Sequence, residues 1–268
     1  MRDSAGFAFD TPEWQEELPS TNTALCRRLR AGEALQPGFV LAVRNQTCGR
    51  GRLDRVWRST PGRDLAFSFF YQGEEDATRL CSLPMSVALG IAAFLEEMGL
   101  APGLKWPNDV RVGSRKIGGI LAEQVEGAGT RVVVGVGLNV NMTKEQAGAI
   151  DQPATSLGIE TGRLLDIHEI LAALLPCLAG PIAAWRSGGF AALRSNWLDR
   201  CDLLNEPVEV VEEDRRLAGR MESVGKNGEL LLRLPDGRLK EIWAGDVVSL
   251  RAGVSAHVQN LSEARRRE

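Results

Sequence analysis

The sequence predicts an α+β protein in which a larger mixed domain is followed by a small all-β module. Three observations predict it. Up to about residue 200, runs with β-type alternation exchange with stretches of helical spacing. From Pro207 onward, short strands follow one another across tight glycine-bearing turns. The chain is also long enough, at 268 residues and 44% hydrophobic content, to bury the core of one large domain plus a small module. The expected boundaries are a larger domain over 1–203, a β module over 204–252, and a frayed tail over 253–268.

Residues 1–12 read as irregular, and Trp14–Leu18 as a first strand. Ser20-Thr21-Asn22 precede a helical run over Thr23–Ala31, with Ser20 as the natural N-cap and Gly32 as the stop. Phe39–Val43 reads as a strand and Asp64–Tyr71 as a strongly apolar, central one. Ser82–Met98 has the spacing of a buried helix, with Pro84 tolerated in its first turn. A strand over Arg131–Val136 runs into Gly135-Val136-Gly137-Leu138-Asn139-Val140-Asn141, and residues 142–160 form a polar connection. His168–Trp185 and Phe190–Leu198 read as helices around Ser187-Gly188-Gly189. The last five strands are expected over Val208–Val211, Leu217–Val224, Glu229–Leu234, Leu239–Trp243 and Val247–Arg251, and suggest a small SH3-like β-barrel.

Composition excludes several classes of function. A net charge of −3 gives no global attraction to nucleic acid, so any anion site must be local. Cys26, Cys48, Cys81, Cys177 and Cys201 show no C-x-x-C spacing, and His168 and His257 are too few and too distant to complete a metal site. That pattern fits free thiols in a reducing, cytoplasmic setting. The N-terminus lacks a basic-then-apolar signal, and no run approaches the roughly 18 apolar residues of a membrane span, so no membrane association is expected.

The chain is organised around residues 105–123. Lys105-Trp106-Pro107-Asn108-Asp109 and Lys116-Ile117-Gly118-Gly119-Ile120-Leu121-Ala122-Glu123 read as strands joined by the turn Val112-Gly113-Ser114-Arg115. Gly118 and Gly119 strip side chains from a strand, as happens where a ligand approaches the backbone. Beside them Lys116 offers an ammonium for a phosphate oxygen, and Asp109 a carboxylate for a hard divalent cation. A second cationic stretch, Arg44–Ser59, carries five arginines and two glycines in a segment too irregular for a helix. Its shortness and single aromatic, Trp57, suit closure over a small anionic ligand better than nucleic-acid binding. Cys48 has no nearby histidine to activate it and reads as incidental. Gly-x-Gly at 135–137 opens no helix, so it is no dinucleotide fingerprint; instead it brings Asn139 and Asn141 to one face, where carboxamides can meet a ribose or purine edge.

Assembled, these stretches resemble the biotin protein ligases, the biotin–[acetyl-CoA-carboxylase] synthetases. The resemblance runs from about Ser20 to Arg251 through Ser-Thr-Asn-Thr, Gln-Thr-x-Gly-Arg-Gly-Arg with a following Trp, Lys-Trp-Pro-Asn-Asp, Lys-x-Gly-Gly-Ile-Leu-x-Glu and Gly-x-Gly-x-Asn-x-Asn. It implies a class II aminoacyl-synthetase-like catalytic domain, with ATP and biotin as substrates and Mg²⁺ in the nucleotide region. It implies that Ser20, Thr21, Asn22, Gln46, Arg50, Gly51, Arg52, Lys116, Gly118 and Gly119 bind biotin. Arg52, Trp57, Asn108, Asp109, Lys116 and Asn139 would hold ATP or the adenylate, with Lys116, Arg52 and Asp109 acting in the chemistry and Asp109 facing the metal. The implied partner is a biotin carboxyl carrier protein of a biotin-dependent carboxylase, and a homodimer is left open.

The loop departs from the family pattern at Cys48 and at Asp54, which interrupts the arginines. Fewer than twenty residues precede Ser20, too few for the N-terminal DNA-binding domain of family members that act as repressors, so a monofunctional enzyme without a DNA partner is expected. The nearest rival is a lipoate or octanoyl protein ligase on the same fold. A rival of another class is a non-catalytic nucleic-acid-binding protein using Arg44–Arg58 and the small barrel, which would leave Lys116 and Asp109 without a role.

Overall fold

The first strand, β1 (Glu13–Leu18), leads into helix α1 (Thr21–Arg30). Ser20 caps that helix from an extended backbone, its Oγ accepting the Thr23 N–H, and Arg27, Arg28 and Arg30 complement the helix dipole in the last turn. β2 (Val40–Gln46) follows, then a two-residue ladder of β3 (Gly49–Arg50) against β4 (Val56–Trp57) inside the arginine-rich segment. This computed structural model describes residues 6–53, 55–127, 129–212 and 215–250; Asp54 and the tail expected to fray lie outside the described residues.

Strand β5 (Leu65–Gly73) is buried along almost its whole length, as its run of apolar residues requires. A short α2 (Ala77–Leu80) precedes α3 (Leu83–Glu97). Ser82 sits at the start of α3 but makes no cap; its hydroxyl donates to the Arg79 carbonyl and accepts the Trp185 indole N–H. β6 (Pro102–Lys105), β7 (Asp109–Val112), β8 (Arg115–Val125) and β9 (Thr130–Leu138) complete a seven-stranded sheet in the order β1-β2-β5-β9-β8-β7-β6. Only the β1–β2 pair is parallel.

The stretch after β9 is not plain loop, since α4 (Lys144–Gly148) and α5 (Leu157–Thr161) lie within it, the first closed by a Thr143–Gln146 capping box. Helix α6 (Ile167–Gly188) then packs along α3, and the expected second helix is broken into a 3-10 turn at Phe190–Ala192 and α7 (Arg194–Leu198). Composition alone makes Ala77–Glu97 and Ile167–Gly188 long and apolar enough to cross a membrane, more than the sequence reading allowed. Here they pack in the same core, over one face of the sheet.

Period-2 alternation decides which residues face which layer. Val40, Ala42, Phe67, Phe69, Tyr71, Val132, Val134 and Val136 point to α3 and α6, whereas Leu41, Phe70, Val125 and Val133 point to α1. Helix α1 is ten residues long and covers only part of its face. The uncovered part is where the small residues Ala66, Ser68, Gly119, Gly135 and Gly137 fall.

The C-terminal strands are β10 (Pro207–Val211), β11 (Arg216–Val224), β12 (Leu230–Arg233), β13 (Leu239–Ile242) and β14 (Asp246–Ser249). They appear where the turns demanded them, but form an open antiparallel sheet in the order β13-β12-β11-β10-β14 rather than a closed barrel. The two edge strands are four residues each, and the connection between them carries the chain across to pair with β10, so that β13 and β14 end at opposite edges and do not pair with each other. This sheet rests on the larger domain through polar contacts as well as packing. The Trp106 indole donates to the Gly228 carbonyl at 2.8 Å, and Arg194 donates to the Val224 carbonyl and the Ser223 hydroxyl.

Candidate active site

The cleft is built on a register irregularity. Along β7–β8, Asp109 opposes Gly119 and Val110 opposes Gly118, but Arg111 then opposes Lys116, so Ile117 is the extra residue. Without this bulge Lys116 would stand on the opposite face from Gly119, Leu121 and Glu123, because a strand alternates with period two. With it, all four share the uncovered face. The Lys116 ammonium lies 2.6 Å from the Asp109 carboxylate, both side chains largely buried, and 5.7 Å over the Trp57 ring. The pair that the sequence suggested does form a salt bridge, but inside a cleft rather than on a surface.

Glycines make the floor. A Cβ on Gly137 would sit 2.6 Å from the Trp57 Nε1, and one on Gly135 would collide with the Asn22 carboxamide. Neither glycine has a positive φ, so space rather than backbone freedom requires them. A Cβ on Gly119 would meet both the Lys116 Nζ and the Trp57 ring at 3.4 Å. The indole of β4 therefore lies flat on β9, with its N–H buried and without an acceptor among the described residues.

One wall is the start of α1. The Gln46 carboxamide oxygen accepts the Thr21 N–H at 3.0 Å, and the buried Ser68 hydroxyl lies 2.7 Å from Thr21 Oγ1 and 2.6 Å from Asn22 Oδ1. Asn22 Nδ2 donates to the Leu121 carbonyl at 3.1 Å and to Glu123 at 2.8 Å. A chain of neutral hydroxyl and amide groups is suited to a neutral polar ring.

The opposite wall is the arginine segment, tightened by the Gly51 N–H to Arg55 carbonyl bond and a left-handed Leu53. Arg50 pairs with Glu123 at 2.8 Å and Arg55 with Asp246 at 2.7 Å, and Lys105 reaches the same Asp246 at 3.3 Å. Arg52 is held instead by neutral oxygens, those of Asn108 at 3.5 Å and the Gly245 backbone at 3.2 Å. Burial draws the Arg52 guanidinium below its ordinary value, partly offset by Asp246 and Asp109. Burial pushes the Asp246 carboxyl up, but Lys105 and Arg55 outweigh it and hold the group below the usual range. Arg44 faces away, to Glu16 and His168 at the outer edge of the sheet.

The cleft spans about 870 Å³, its open mouth included. Of the residues named from sequence, Ser20, Thr21, Asn22, Gln46, Arg50, Gly51, Arg52, Trp57, Asn108, Asp109, Lys116 and Gly119 line it. Gly118 lies behind it, against Gly137, Leu138 and Val110. Asn139 also lies behind it, its amide donating to the Thr155 carbonyl at 2.9 Å. Asn141 is likewise spent on the backbone of Leu165. Sequence reasoning missed Gly135, Gly137, Ser68, Glu123 and Asp246. The first three were signalled by the small residues alternating with large ones on β5 and β9, whereas nothing local marked Asp246, which comes from the C-terminal sheet. Among the described residues no three His, Cys, Asp or Glu side chains cluster as a metal cage.

Comparison with known proteins gives this cleft its context. The Biotin/lipoate A/B protein ligase family matches residues 14–141. Biotin–[acetyl-CoA-carboxylase] ligase of Paracoccus denitrificans is 33% identical over 232 residues, covering 82% of this chain and 95% of that protein. The bifunctional ligase/repressor BirA of Escherichia coli is 31% identical over 238 residues, covering 88% of this chain and 72% of that protein. Biotin protein ligase from Aquifex aeolicus, solved in complex with biotin and ATP, superposes with a TM-score of 0.78 at 30% identity, over 90% of this chain and 98% of that one. In fold, in the length aligned and in sequence identity, this chain belongs to the biotin/lipoate A/B protein ligase family, among its biotin protein ligases.

Proposed function

We propose that this ligase joins biotin to ATP, giving biotinyl-5′-adenylate and pyrophosphate, and then passes the biotinyl group to a lysine of a biotin carboxyl carrier protein. The observation that carries the reading is the largely buried Lys116–Asp109 pair at the junction of a neutral polar pocket and an arginine wall. In the first step the biotin carboxylate attacks the α-phosphorus and pyrophosphate leaves with the bonding pair. Two anions must approach, and Lys116 and Arg52 offset their repulsion while stabilising charge on the α-phosphoryl oxygens. An ammonium has three donors, so Lys116 can keep Asp109 and still meet a carboxylate and a phosphate oxygen. Asp109, 2.6 Å away, orients it. In the second step the carrier amine attacks the acyl carbon, AMP leaves, and the amine loses a proton.

The biotin ring would lie against Thr21, Asn22, Gln46 and the small-residue floor, with Ser20, Arg50, Gly51 and Gly119 around it. Trp57, Asn108 and Arg52 would hold the nucleotide. Gly118 and Asn139, from behind the cleft, would set the course of β8 and of the turn after β9 rather than touch ligand. Among the described residues Asp109 and Asp246 are the acidic side chains lining the cleft, and they would be the groups to hold Mg²⁺ carried on the triphosphate. Bound there, the ion would supply further charge neutralisation on the phosphates.

The test is biotin-dependent ATP–pyrophosphate exchange with magnesium, followed by label transfer to a carrier domain. Lys116→Ala and Arg52→Ala should each cut exchange by about 10²–10³-fold. Absence of exchange with biotin in folded protein, with exchange appearing when lipoate is supplied, would refute the substrate assignment.

A further inference from the structure

Glu123 closes the Lys-x-Gly-Gly-Ile-Leu-x-Glu stretch, yet the adenylation chemistry gives it no task. Its two carboxylate oxygens have different partners. Oε2 accepts Asn22 Nδ2 at 2.8 Å, on the α1 wall of the cleft; Oε1 accepts Arg50 Nη1 at 2.8 Å, on the arginine wall. The side chain is one-quarter exposed, whereas that of Arg50 is about half exposed. The α1 partner is the better shielded of the two, because Asn22 is buried at 3%.

We propose that Glu123 is a positioning residue that joins the two walls of the pocket, fixing the Asn22 carboxamide with one oxygen and pinning the arginine loop through Arg50 with the other. The first function follows from counting donors. Asn22 Nδ2 has two hydrogens, and the Leu121 carbonyl and Glu123 take both. Both of those partners only accept, so the amide can stand only one way round, with Oδ1 2.6 Å from the Ser68 hydroxyl and a second lone pair left as an acceptor. Thr21 Oγ1 and Gln46 Oε1 extend that acceptor surface. A ligand whose ring presents N–H groups fits it, as a cyclic urea does; this part rests on the biotin reading above.

The second function rests on geometry alone. Arg50 is paired in β3 with Val56 of β4, which is followed by Trp57 on the floor, so one ion pair restrains the hairpin that carries Arg52. The same anion serves both walls. Loss of the Arg50 contact should therefore loosen the arginine wall, and loss of the Asn22 contact should free the amide of the α1 wall to turn.

The proposal is tested with E123Q, E123A, R50Q and the double variant E123Q/R50Q. In ligand-free protein, trypsin cleavage after Arg52 and Arg55, read by mass spectrometry, should speed up about fivefold in E123Q and in R50Q, in keeping with a half-exposed ion pair. The double variant should be no faster than either single one. By calorimetry, E123A should weaken biotin binding about tenfold, the loss of one hydrogen bond to a charged group, and E123Q should recover most of it because its amide oxygen still accepts from Asn22. Unchanged cleavage in E123Q, additive effects in the double variant, or equal biotin affinities for E123A and wild type would each overturn the proposal. Should E123A fail to fold, the E123Q and R50Q cycle still decides the matter. Wild-type protein that binds no biotin would instead refute the ligase reading, and the trypsin cycle would then judge the Arg50 clamp separately.

Discussion

Gly135→Ala isolates the cleft floor from the chemistry above it. The backbone at 135 tolerates alanine, since its φ is not positive, and alanine suits a strand interior better than glycine by about 0.5–1 kcal/mol. The added methyl would nevertheless overlap the Asn22 carboxamide oxygen and lie 2.9 Å from its Cγ. Asn22 must move by roughly 1 Å to restore an ordinary contact distance of about 3.5 Å or more. It is held by bonds to Ser68 at 2.6 Å, Glu123 at 2.8 Å and Leu121 at 3.1 Å, all of which would stretch together. At about 1 kcal/mol each the loss is near 3 kcal/mol, and the strand gain brings it to about 2. That sum is a loss of folding stability; biotin affinity should fall separately, by about five- to tenfold in calorimetry, because the displaced Asn22 amide no longer presents its one ligand hydrogen bond. The melting temperature should drop by several degrees with the fold retained by circular dichroism. An affinity within about twofold of wild type would refute the reasoning, since at about 1 kcal/mol per bond even one broken bond costs several-fold.

Ser68→Ala removes the hydroxyl between Thr21 and Asn22 without adding bulk; a five- to tenfold weaker biotin affinity is expected by calorimetry, about 1 kcal/mol or slightly more. Trp106→Phe deletes the donor to the Gly228 carbonyl at a buried junction between the two sheets, so the protein should lose about 1–2 kcal/mol in urea unfolding. Asp246→Asn tests the pH dependence of the other junction. Because the folded pKa of Asp246 is depressed, its contribution is complete above the unfolded aspartate pKa of about 4 and is lost as pH falls through the lower folded value. Wild-type stability should therefore decline more steeply than that of D246N below about pH 4, while at pH 7 the variant should be less stable by about 1–2 kcal/mol. Parallel unfolding curves at all pH values would argue against the linkage.

Much of this molecule is legible in the order of its residues. Local chemistry fixed the Ser20 cap, the buried strand at Leu65–Gly73, the central helix at Leu83–Glu97 and the C-terminal strands, because each depends on near neighbours and on period. Most of the cleft-lining side chains were also named, since the motifs that carry them are contiguous. The misses share a cause. The short helices in 142–160 and the break at Gly189 lie in segments where tertiary contacts override weak local preference. The C-terminal sheet was expected to close, but strand pairing across a small module is a matter of length and path that turns alone do not specify.

By itself the sequence determined which groups could do chemistry: an ammonium, a carboxylate, arginines between glycines, hydroxyls and amides at a helix start. Only the tertiary structure decided how they combine. A single bulge put Lys116 on the face of Gly119 and Glu123, and the alternation of β5 and β9 turned the small residues there into a floor. A distant sheet supplied Asp246 to Arg55 and Lys105. These are facts of register and layer, set by hydrogen bonding between strands far apart in the chain, and register is a property that no short window of sequence contains.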